Sequence, residues 1–592
     1  MAVIKFFMSL NIIGISAFYH DSACCILQDG VLEAAAQEER FSRKKNDPNL
    51  PGESFLYCLE QTGLNISDID CIAYYENPQK KLARQLWSKN GKISRDNILE
   101  MNPNKVEQHL RELFGFTGLI KFYEHHLSHA ASAFFYSGFE ESAILTVDGV
   151  GEWATTTYGL GKDKHIDLFE EVVFPDSIGL LYSTLTSYLG FHVNSGEYKV
   201  MGLAPYGMPK YADKIRQLIQ MKEAGQYRLD MKYFEFVKGD KMYTDEFIEL
   251  FGRGPRKRES AIEQFYIDVA KSLQVVLEEI LLEKTRYLYE RTGSENLCMA
   301  GGVALNCVAN GHILRNGPFK SLFVQPAAND SGCALGAAAL ANAELTEKFT
   351  NKVLTHVYLG PDFGNEEIRR LLDSSSLRYE NYCDKLDELI KQTASRLAQG
   401  KVIGWFQGRM EFGPRSLGAR SILADPRDPN MRERINSMVK KREGFRPFAP
   451  AILEHRANEY FDLDHPSPFM LETCQVISKI PLPAIKHVDG SARVQTVTED
   501  TNPGFAKLLQ CFEALTGCPI LLNTSFNVRG EPIVCNPEEA LICFATTDID
   551  CLVIGDFIID IKDNDRSLLA LIHENLVDKN EAAINYDVYT FI

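Results

Sequence analysis

One pattern is used twice in this chain and limits its architecture more than any other: a strand, an Asp-bearing turn and a returning strand. Residues 11–17 read as a buried strand, followed by the polar turn Tyr19-His20-Asp21-Ser22, a strand at 23–27, the hairpin signal Asp29-Gly30 and a third strand at 31–36. The pattern returns as a strand at 143–147, the turn Asp148-Gly149-Val150-Gly151 and a strand at 155–159. Helical sequence separates the two units. A duplicated α/β domain with a nucleotide between its halves is therefore expected.

The remainder divides at a change of composition. Residues 262–292 carry a long amphipathic helical period and run into a strand at 296–300, and the alanine-rich stretch 332–343 reads as a tightly packed helix. Polar residues with Gly360, Pro361 and Gly364 mark a linker, beyond which a helix at 384–399 and a strand at 402–406 begin again. Two domains are expected, 1–352 and 353–592. The 592 residues, 45% hydrophobic and 24% charged, suffice for two cores and exclude wholesale disorder. The net charge of −17 argues against a chain that coats nucleic acid or an anionic membrane. Fourteen cysteines without a C-x-x-C pair read as buried free thiols in a reducing, cytoplasmic setting. Lys5 and the apolar residues after it resemble a signal sequence, but cleavage there would remove the strand at 11–17; no apolar run is long enough to span a membrane.

Within this frame several residue sets carry chemistry. Glu124-His125-His126-Leu127-Ser128-His129 puts His125 and His129 four residues apart, on one face of a helix, where they can share a metal. A zinc protease of the H-E-x-x-H type needs Glu where His126 stands, so hydrolysis by that route is disfavoured. With carboxylates such as Asp148 and Asp330, two imidazoles suit iron, manganese or zinc; the alternative is a histidine pair satisfied by hydrogen bonds. Three glycine-bearing turns suit anions, the alternative for each being structural punctuation. Gly301 and Gly302, ahead of Asn306, follow a strand and precede a helix; residues 194–202 set Glu197 and Lys199 beside glycine; and Asn329-Asp330-Ser331-Gly332 opens the alanine-rich helix. Neither a Walker A lysine motif nor G-x-G-x-x-G is present, which excludes a P-loop or dinucleotide fold. In the C-terminal half, residues 408–420 form an arginine-bearing loop. Seven basic residues against three acids then lie between Arg427 and Arg446, with Phe445, Pro447, Phe448 and Pro450 breaking the run like pocket walls. Arg forks bind phosphate bidentately and Lys acts as a point charge. Residues 521–527 end a strand in Asn523 and Ser525, donors for a carbonyl or phosphate.

Ten blocks in order along nearly the whole chain resemble the NodU/CmcH family of O-carbamoyltransferases: AFYHDSACC, HHLSHAASAF, VDGVGEW, GEYKVMGLAPYG, GGVALN, NDSGCALGAA, GRMEFGPRSLGARSILADPR, VKKREGFRPFAP, ARVQTV and LNTSFNVRGEPIV. The resemblance implies an N-terminal actin/Hsp70-like domain of the TsaD type that transfers a carbamoyl group. It further implies a C-terminal YrdC-like α/β domain that makes carbamoyladenylate from carbamoyl phosphate and ATP. By motif, His125, His129, Asp148 and Asp330 would hold ferrous iron or another divalent metal, and His20 would contact the carbamoyl group. Asp230, on a looser match, would position or deprotonate the acceptor. Arg415, Lys440, Arg493 and Ser525 fall on the activation-site motifs. Gly149, Lys199, Gly301, Gly302, Asn306, Arg420, Met470 and Asn523 fall at positions expected to meet the nucleotide, ATP with Mg²⁺.

The implied partners are carbamoyl phosphate, ATP and a hydroxylated small molecule, such as an antibiotic sugar, a cephem, a nodulation oligosaccharide or an alkaloid toxin of the saxitoxin type. The acceptor pocket is expected within residues 77–105 or 223–258. Oligomeric state is left open, a homodimer included. Two other readings share some motifs. One is a small-molecule kinase of the actin fold, for which Asp21 and Asp148 also suit phosphoryl transfer. The other is a tRNA threonylcarbamoylation-type protein, which the acidic balance and the lack of a basic stripe disfavour.

Overall fold

The computed structural model describes residues 9–88, 101–237, 241–346, 351–440 and 443–565. The first repeat contains β1 (Asn11–Ser16), β2 (Ala23–Gln28), β3 (Val31–Gln37), β4 (Cys71–Tyr74) and β5 (Leu119–Phe122). All six residues of β1 are buried, as a central strand covered on both faces requires. The sheet order is β3-β2-β1-β4-β5, with antiparallel pairing on one side of β1 and parallel pairing on the other. The second repeat contains β6 (Glu141–Val147), β7 (Ala154–Lys162) and β8 (His165–Val173). After the small hairpin β9 (Ile219–Met221) and β10 (Tyr227–Leu229), it continues with β11 (Asn296–Ala300) and β12 (Ser321–Val324). Its order, β12-β11-β6-β7-β8, repeats the first sheet's plan about β6, antiparallel toward β8 and parallel toward β12. The two sheets thus repeat one α/β plan, the duplication expected from the sequence.

Each repeat sends a helix inward after its fifth strand: His125–Ser137 after β5 and Asp330–Leu345 after β12. Small residues let these helices approach closely. A Cβ on Gly336 would lie 1.8 Å from the Ser128 carbonyl oxygen, and one on Gly14 of β1 would lie 2.0 Å from that of Ala334. No side chain fits at either position, and the alanine-rich composition of 330–345 is the signature of that packing.

The C-terminal half contains β13 (Glu380–Asn381), β14 (Ile403–Phe406), β15 (Arg420–Ala424), β16 (Ala449–Leu453), β17 (Cys474–Gln475), β18 (Ser491–Ala492), β19 (Gln495–Val497), β20 (Ile520–Ser525), β21 (Cys551–Ile554) and β22 (Phe557–Asp560). Eight of them form one mixed sheet in the order β13-β22-β21-β14-β15-β20-β16-β19, and β17 pairs with β18. This sheet has its own core, reaching from Ile368 to Ile559, while Phe412, Leu417, Ala449 and Met470 pack into the core of the first half. The fourteen cysteines are unpaired, and all but Cys383 and Cys511 are buried. Among the described residues no helix is long and apolar enough to cross a membrane.

The long helix Gln264–Thr292 buries one cation completely. Lys284 Nζ donates to Tyr158 Oη (2.8 Å) and the Gly225 carbonyl (2.6 Å) and lies over the Tyr227 ring. Burial, opposed by Glu283, lowers its pKa to about 7. The unfolded amine titrates near 10.5, so between pH 7 and 10.5 the unfolded chain binds the extra proton and stability rises with pH. Lys284→Met removes this dependence, and Tyr158 Oη still donates to Gly225. The difference in unfolding free energy between variant and wild type is expected to shift in the variant's favour by on the order of 4 kcal/mol as pH falls from 10.5 to 7. Denaturant curves that keep a constant offset across that range would contradict this.

Candidate active site

The duplication builds the first site. The β1–β2 turn carries His20 and Asp21, and the matching β6–β7 turn carries Asp148 and Gly149. The first helical turns after β5 and β12 carry His125 and His129 on one side and Asp330 on the other. Topologically equivalent pieces of the two repeats thus converge on one point. His125 Nε2 lies 3.6 Å from Asp148 Oδ2 and 3.6 Å from Asp330 Oδ1, and His129 Nε2 lies 3.6 Å from Asp330 Oδ1. These separations are too long for hydrogen bonds. One donor atom from each of the four residues lies within 4.8 Å of all the others, and all four side chains are buried.

Both ring nitrogens of His125 and His129, Asp148 Oδ2 and both Asp330 carboxylate oxygens have no hydrogen-bond partner. Buried polar atoms are nearly always satisfied, and this concentration of orphans is one that a bound cation would satisfy. Two imidazole nitrogens and two carboxylates suit a divalent metal such as iron, manganese or zinc. The quartet therefore fits the expected group. His126 is not part of it: its Nδ1 meets Thr146 Oγ1 at 2.6 Å, inside the core. Glu152 holds the helix start, accepting from the His125 backbone N–H at 3.0 Å and that of Asn77 at 2.6 Å.

Electrostatics show the same demand for positive charge. Burial works against a charged His20, yet Asp330, Asp21 and Asp148 together push its pKa up to about 10. His20 Nδ1 is held by Asp21 Oδ2 at 2.9 Å. Burial likewise opposes charge on Asp148, but the imidazoles of His125, His129 and His126 hold it well below the usual carboxylate range.

The second site is cationic. Arg415, Arg446 and Arg493 border one cavity, and Arg415 Nε and Arg493 Nε are buried without partners. Burial, then the charges of Arg493 and Arg446, lower the Arg415 pKa to about 9. Glu443 lies 4.0 Å from Arg446, and the three arginines together suit an anion. Asn523 stands beside them with its Oδ1 unpartnered, its Nδ2 donating to Gln495 Oε1 at 2.8 Å. The two sites share that cavity of about 710 Å³, bordered by His20, Asp148 and Gly302 from the N-terminal half and by the three arginines and Ser525 from the C-terminal half.

Most of the expected residues meet there: His20, Asp148, Gly149, Lys199, Gly302, Asn306, Arg415, Met470, Arg493, Asn523 and Ser525 border the cavity, with His125, His129 and Asp330 just behind it. Several lie elsewhere or are already paired. Asp230 lies at the surface, pairing with Lys232 at 3.1 Å and capping the turn Met231–Tyr233, and it does not border the cavity. Arg420 is wholly buried on β15, its guanidinium spent on the carbonyls of Gln407, Gly408, Ala419 and Pro361 and stacked on Phe406, so no part of it is left for a nucleotide. Gly301 sits outside the cavity, and the backbone N–H groups of its turn serve protein acceptors: Gly301 donates to Ala328 and Gly302 to Asp148 Oδ1 (2.8 Å). Lys199 pairs across the domain boundary with Glu443 at 2.8 Å. The side chain of Lys440, Lys441, and parts of both expected acceptor segments (89–100 and 238–240) lie outside the described residues.

Sequence reasoning passed over Arg446, although it lies in the quoted FRPFAP block, and also Glu411. The latter is buried and its Oε1 accepts from the backbone N–H groups of Leu417 (2.6 Å), Ala419 (2.8 Å) and Arg420 (3.2 Å), which shapes the loop bearing Arg415. Glu411→Ala leaves three buried donors unsatisfied and is expected to cost about 3 kcal/mol of stability and to raise KM for the anionic substrate. Glu411→Gln, which keeps an acceptor oxygen, is expected to restore most of the loss. Equal defects in both variants, by thermal unfolding and steady-state kinetics, would show that the acceptor role is wrong.

Comparison with known proteins places this geometry. Residues 11–339 match the family model described as Carbamoyltransferase N-terminus, and residues 394–561 match Carbamoyltransferase C-terminus. The chain belongs to the carbamoyltransferase family and is a carbamoyltransferase enzyme, with a carbamoyl donor and an acceptor as its substrates. It is 46% identical to the Uncharacterized protein sll1178 of Synechocystis sp. over 93% of this chain and 96% of that protein. It is 40% identical to Nodulation protein NolNO of Sinorhizobium fredii over 92% of this chain and 79% of that protein. Among solved structures it is similar to Acidaminococcus fermentans (R)-2-hydroxyglutaryl-CoA dehydratase component A, at 14% identity and a TM-score of 0.31, over 57% of this chain and 99% of that one.

Proposed function

We propose that this carbamoyltransferase works in two chambers of one cavity. In the C-terminal chamber a carbamoyl group derived from carbamoyl phosphate is joined to ATP as carbamoyladenylate. In the N-terminal chamber it passes to the hydroxyl of a small natural product. The observation that carries this reading is the shared cavity, cationic at Arg415, Arg446 and Arg493 and lined by imidazole and carboxylate at His20 and Asp148.

Water releases phosphate from carbamoyl phosphate, the carbamate oxygen attacks the α-phosphorus of ATP, and pyrophosphate leaves. Arg415, Arg446 and Arg493 neutralise the phosphates so that two anions can meet, and Asn523 and Ser525 orient them. The acceptor oxygen then attacks the carbamoyl carbon, AMP departs with the electrons of the broken C–O bond, and the hydroxyl gives up its proton. His20, fixed through Nδ1 by Asp21, contacts the carbamoyl group during this step. His125, His129, Asp148 and Asp330 would hold a divalent ion, ferrous iron by resemblance, which when bound supplies positive charge beside the nucleotide phosphate. A path within the shared cavity lets the mixed anhydride move between the two steps without crossing bulk water.

Two assays test this. The protein, supplied with ATP, Mg²⁺, carbamoyl phosphate and Fe²⁺, is expected to catalyse ATP/pyrophosphate exchange that depends on carbamoyl phosphate. It is also expected to add one carbamoyl mass to a member of a hydroxylated acceptor panel. Exchange that ignores carbamoyl phosphate, or none, would overturn the reading.

A further inference from the structure

Where the two domains meet, one buried arginine bridges them at the cavity wall. Arg40, 3% exposed, follows β3 in the short helix Glu39–Ser42. Its Nη1 donates to Glu39 Oε1 at 2.7 Å, and its Nη2 to Gln37 Oε1 at 3.0 Å and to the Gly413 carbonyl at 2.8 Å. Gly413 stands two residues before Arg415, in the loop that Glu411 shapes. On the other side, Gln37 Nε2 reaches Ser331 Oγ at 3.4 Å, next to Asp330. Gln37, Glu39, Arg40, Pro414 and Arg415 all border the cavity, and Arg40 Nε is buried without a partner. One guanidinium thus joins the wall of the transfer chamber to the backbone of the activation loop.

We propose that Arg40 is a positioning residue that seals the passage between the two chambers against water. The inference rests on the two-chamber reading above. Its physical basis is the acceptor set it satisfies: without the guanidinium, Glu39 Oε1, Gln37 Oε1 and the Gly413 carbonyl lose a shared donor. Polar atoms in a space the size of an arginine side chain recruit water. Water in the passage attacks the carbamoyl carbon, AMP leaves, and the carbamate formed breaks down to ammonia and carbon dioxide. Arg43, the residue just after that helix, provides a control. It ties the domains through the Ile533 carbonyl (2.8 Å), the Pro532 carbonyl (2.9 Å) and Glu539 (2.9 Å), yet does not border the cavity.

The test uses ATP and carbamoyl phosphate alone, with no acceptor, and measures AMP release divided by the pyrophosphate-exchange rate of the same variant. Wild type is expected to release AMP slowly after its first turnover. Arg40→Ala is expected to raise the ratio about tenfold, with Arg43→Gln staying near wild type. Arg40→Lys keeps the charge but not the planar fork that reaches both domains, so it is expected to raise the ratio as well, and it supplies the readout if the alanine variant does not fold. An unchanged ratio in the Arg40 variants, or an equal rise in Arg43→Gln, would overturn the proposal. Absence of carbamoyl phosphate-dependent exchange in the wild type would instead refute the two-chamber reading itself.

Discussion

His129→Ala is expected to abolish carbamoyl transfer, by about a thousandfold or more, while carbamoyl phosphate-dependent ATP/pyrophosphate exchange persists. The separation follows from placement: His129 belongs to the quartet at the junction of the two N-terminal repeats, while the arginines lie before β15 (Arg415), before β16 (Arg446) and between β18 and β19 (Arg493). Removing one imidazole leaves three donors around a buried space and exposes Asp330 to Asp148 with less positive charge between them. Metal content, read by elemental analysis of the purified protein, is expected to fall in parallel with transfer. His129→Asn, which retains a polar side chain, guards against a folding defect. Exchange lost to the same degree as transfer would contradict the division of labour.

Arg415→Ala gives the complementary result. Exchange is expected to fall by about two orders of magnitude, with most of the loss in KM for carbamoyl phosphate, because a charge-assisted bidentate contact to phosphate is removed. The same substitution is expected not to destabilise the unliganded protein. Burial and the neighbouring charges of Arg493 and Arg446 already lower the Arg415 pKa to about 9, so its cation is held at a cost that only an anion relieves. The thermal shift produced by inorganic phosphate should shrink in the variant, and in wild type it should weaken as pH rises through about 9. An Arg415→Ala protein that melts well below wild type yet responds fully to phosphate would show that this arginine serves the fold rather than the anion.

Much of the N-terminal architecture was legible because local pattern and tertiary role coincide there. The strands expected at 11–17, 23–27 and 31–36 appear as Asn11–Ser16, Ala23–Gln28 and Val31–Gln37, and the helix expected at 262–292 as Gln264–Thr292. Apolar runs closed by Asp or Gly turns leave few alternatives at those positions. The i, i+4 histidines were visible for the same reason, since a helix face is a local property.

What sequence could not supply was the use made of each polar group. Arg415 and Arg420 stand five residues apart, and only the fold reveals that Arg420 opens β15 and is consumed by backbone carbonyls while Arg415, in the loop before it, borders a cavity. Gly301 and Gly302 looked like an anion cradle, but their N–H groups are spent on Ala328 and Asp148. Asp230 matched a loose motif and landed on the surface. Arg40 gave no sequence signal, because its role depends on the Gly413 carbonyl brought from the other half, and Glu411, though it lies in a quoted block, shows its role only through the backbone N–H groups the folded loop turns toward it.

Mixing the two inactive variants, Arg415→Ala and His129→Ala, with an acceptor found by the mass-gain assay is the most direct trial of the whole scheme. If carbamoyladenylate never leaves the chain that made it, neither variant can rescue the other, and carbamoylated product should not exceed the sum of the two separate backgrounds. Recovery of a substantial fraction of wild-type product on mixing would mean that the mixed anhydride travels through bulk water, and that the shared cavity is not its route.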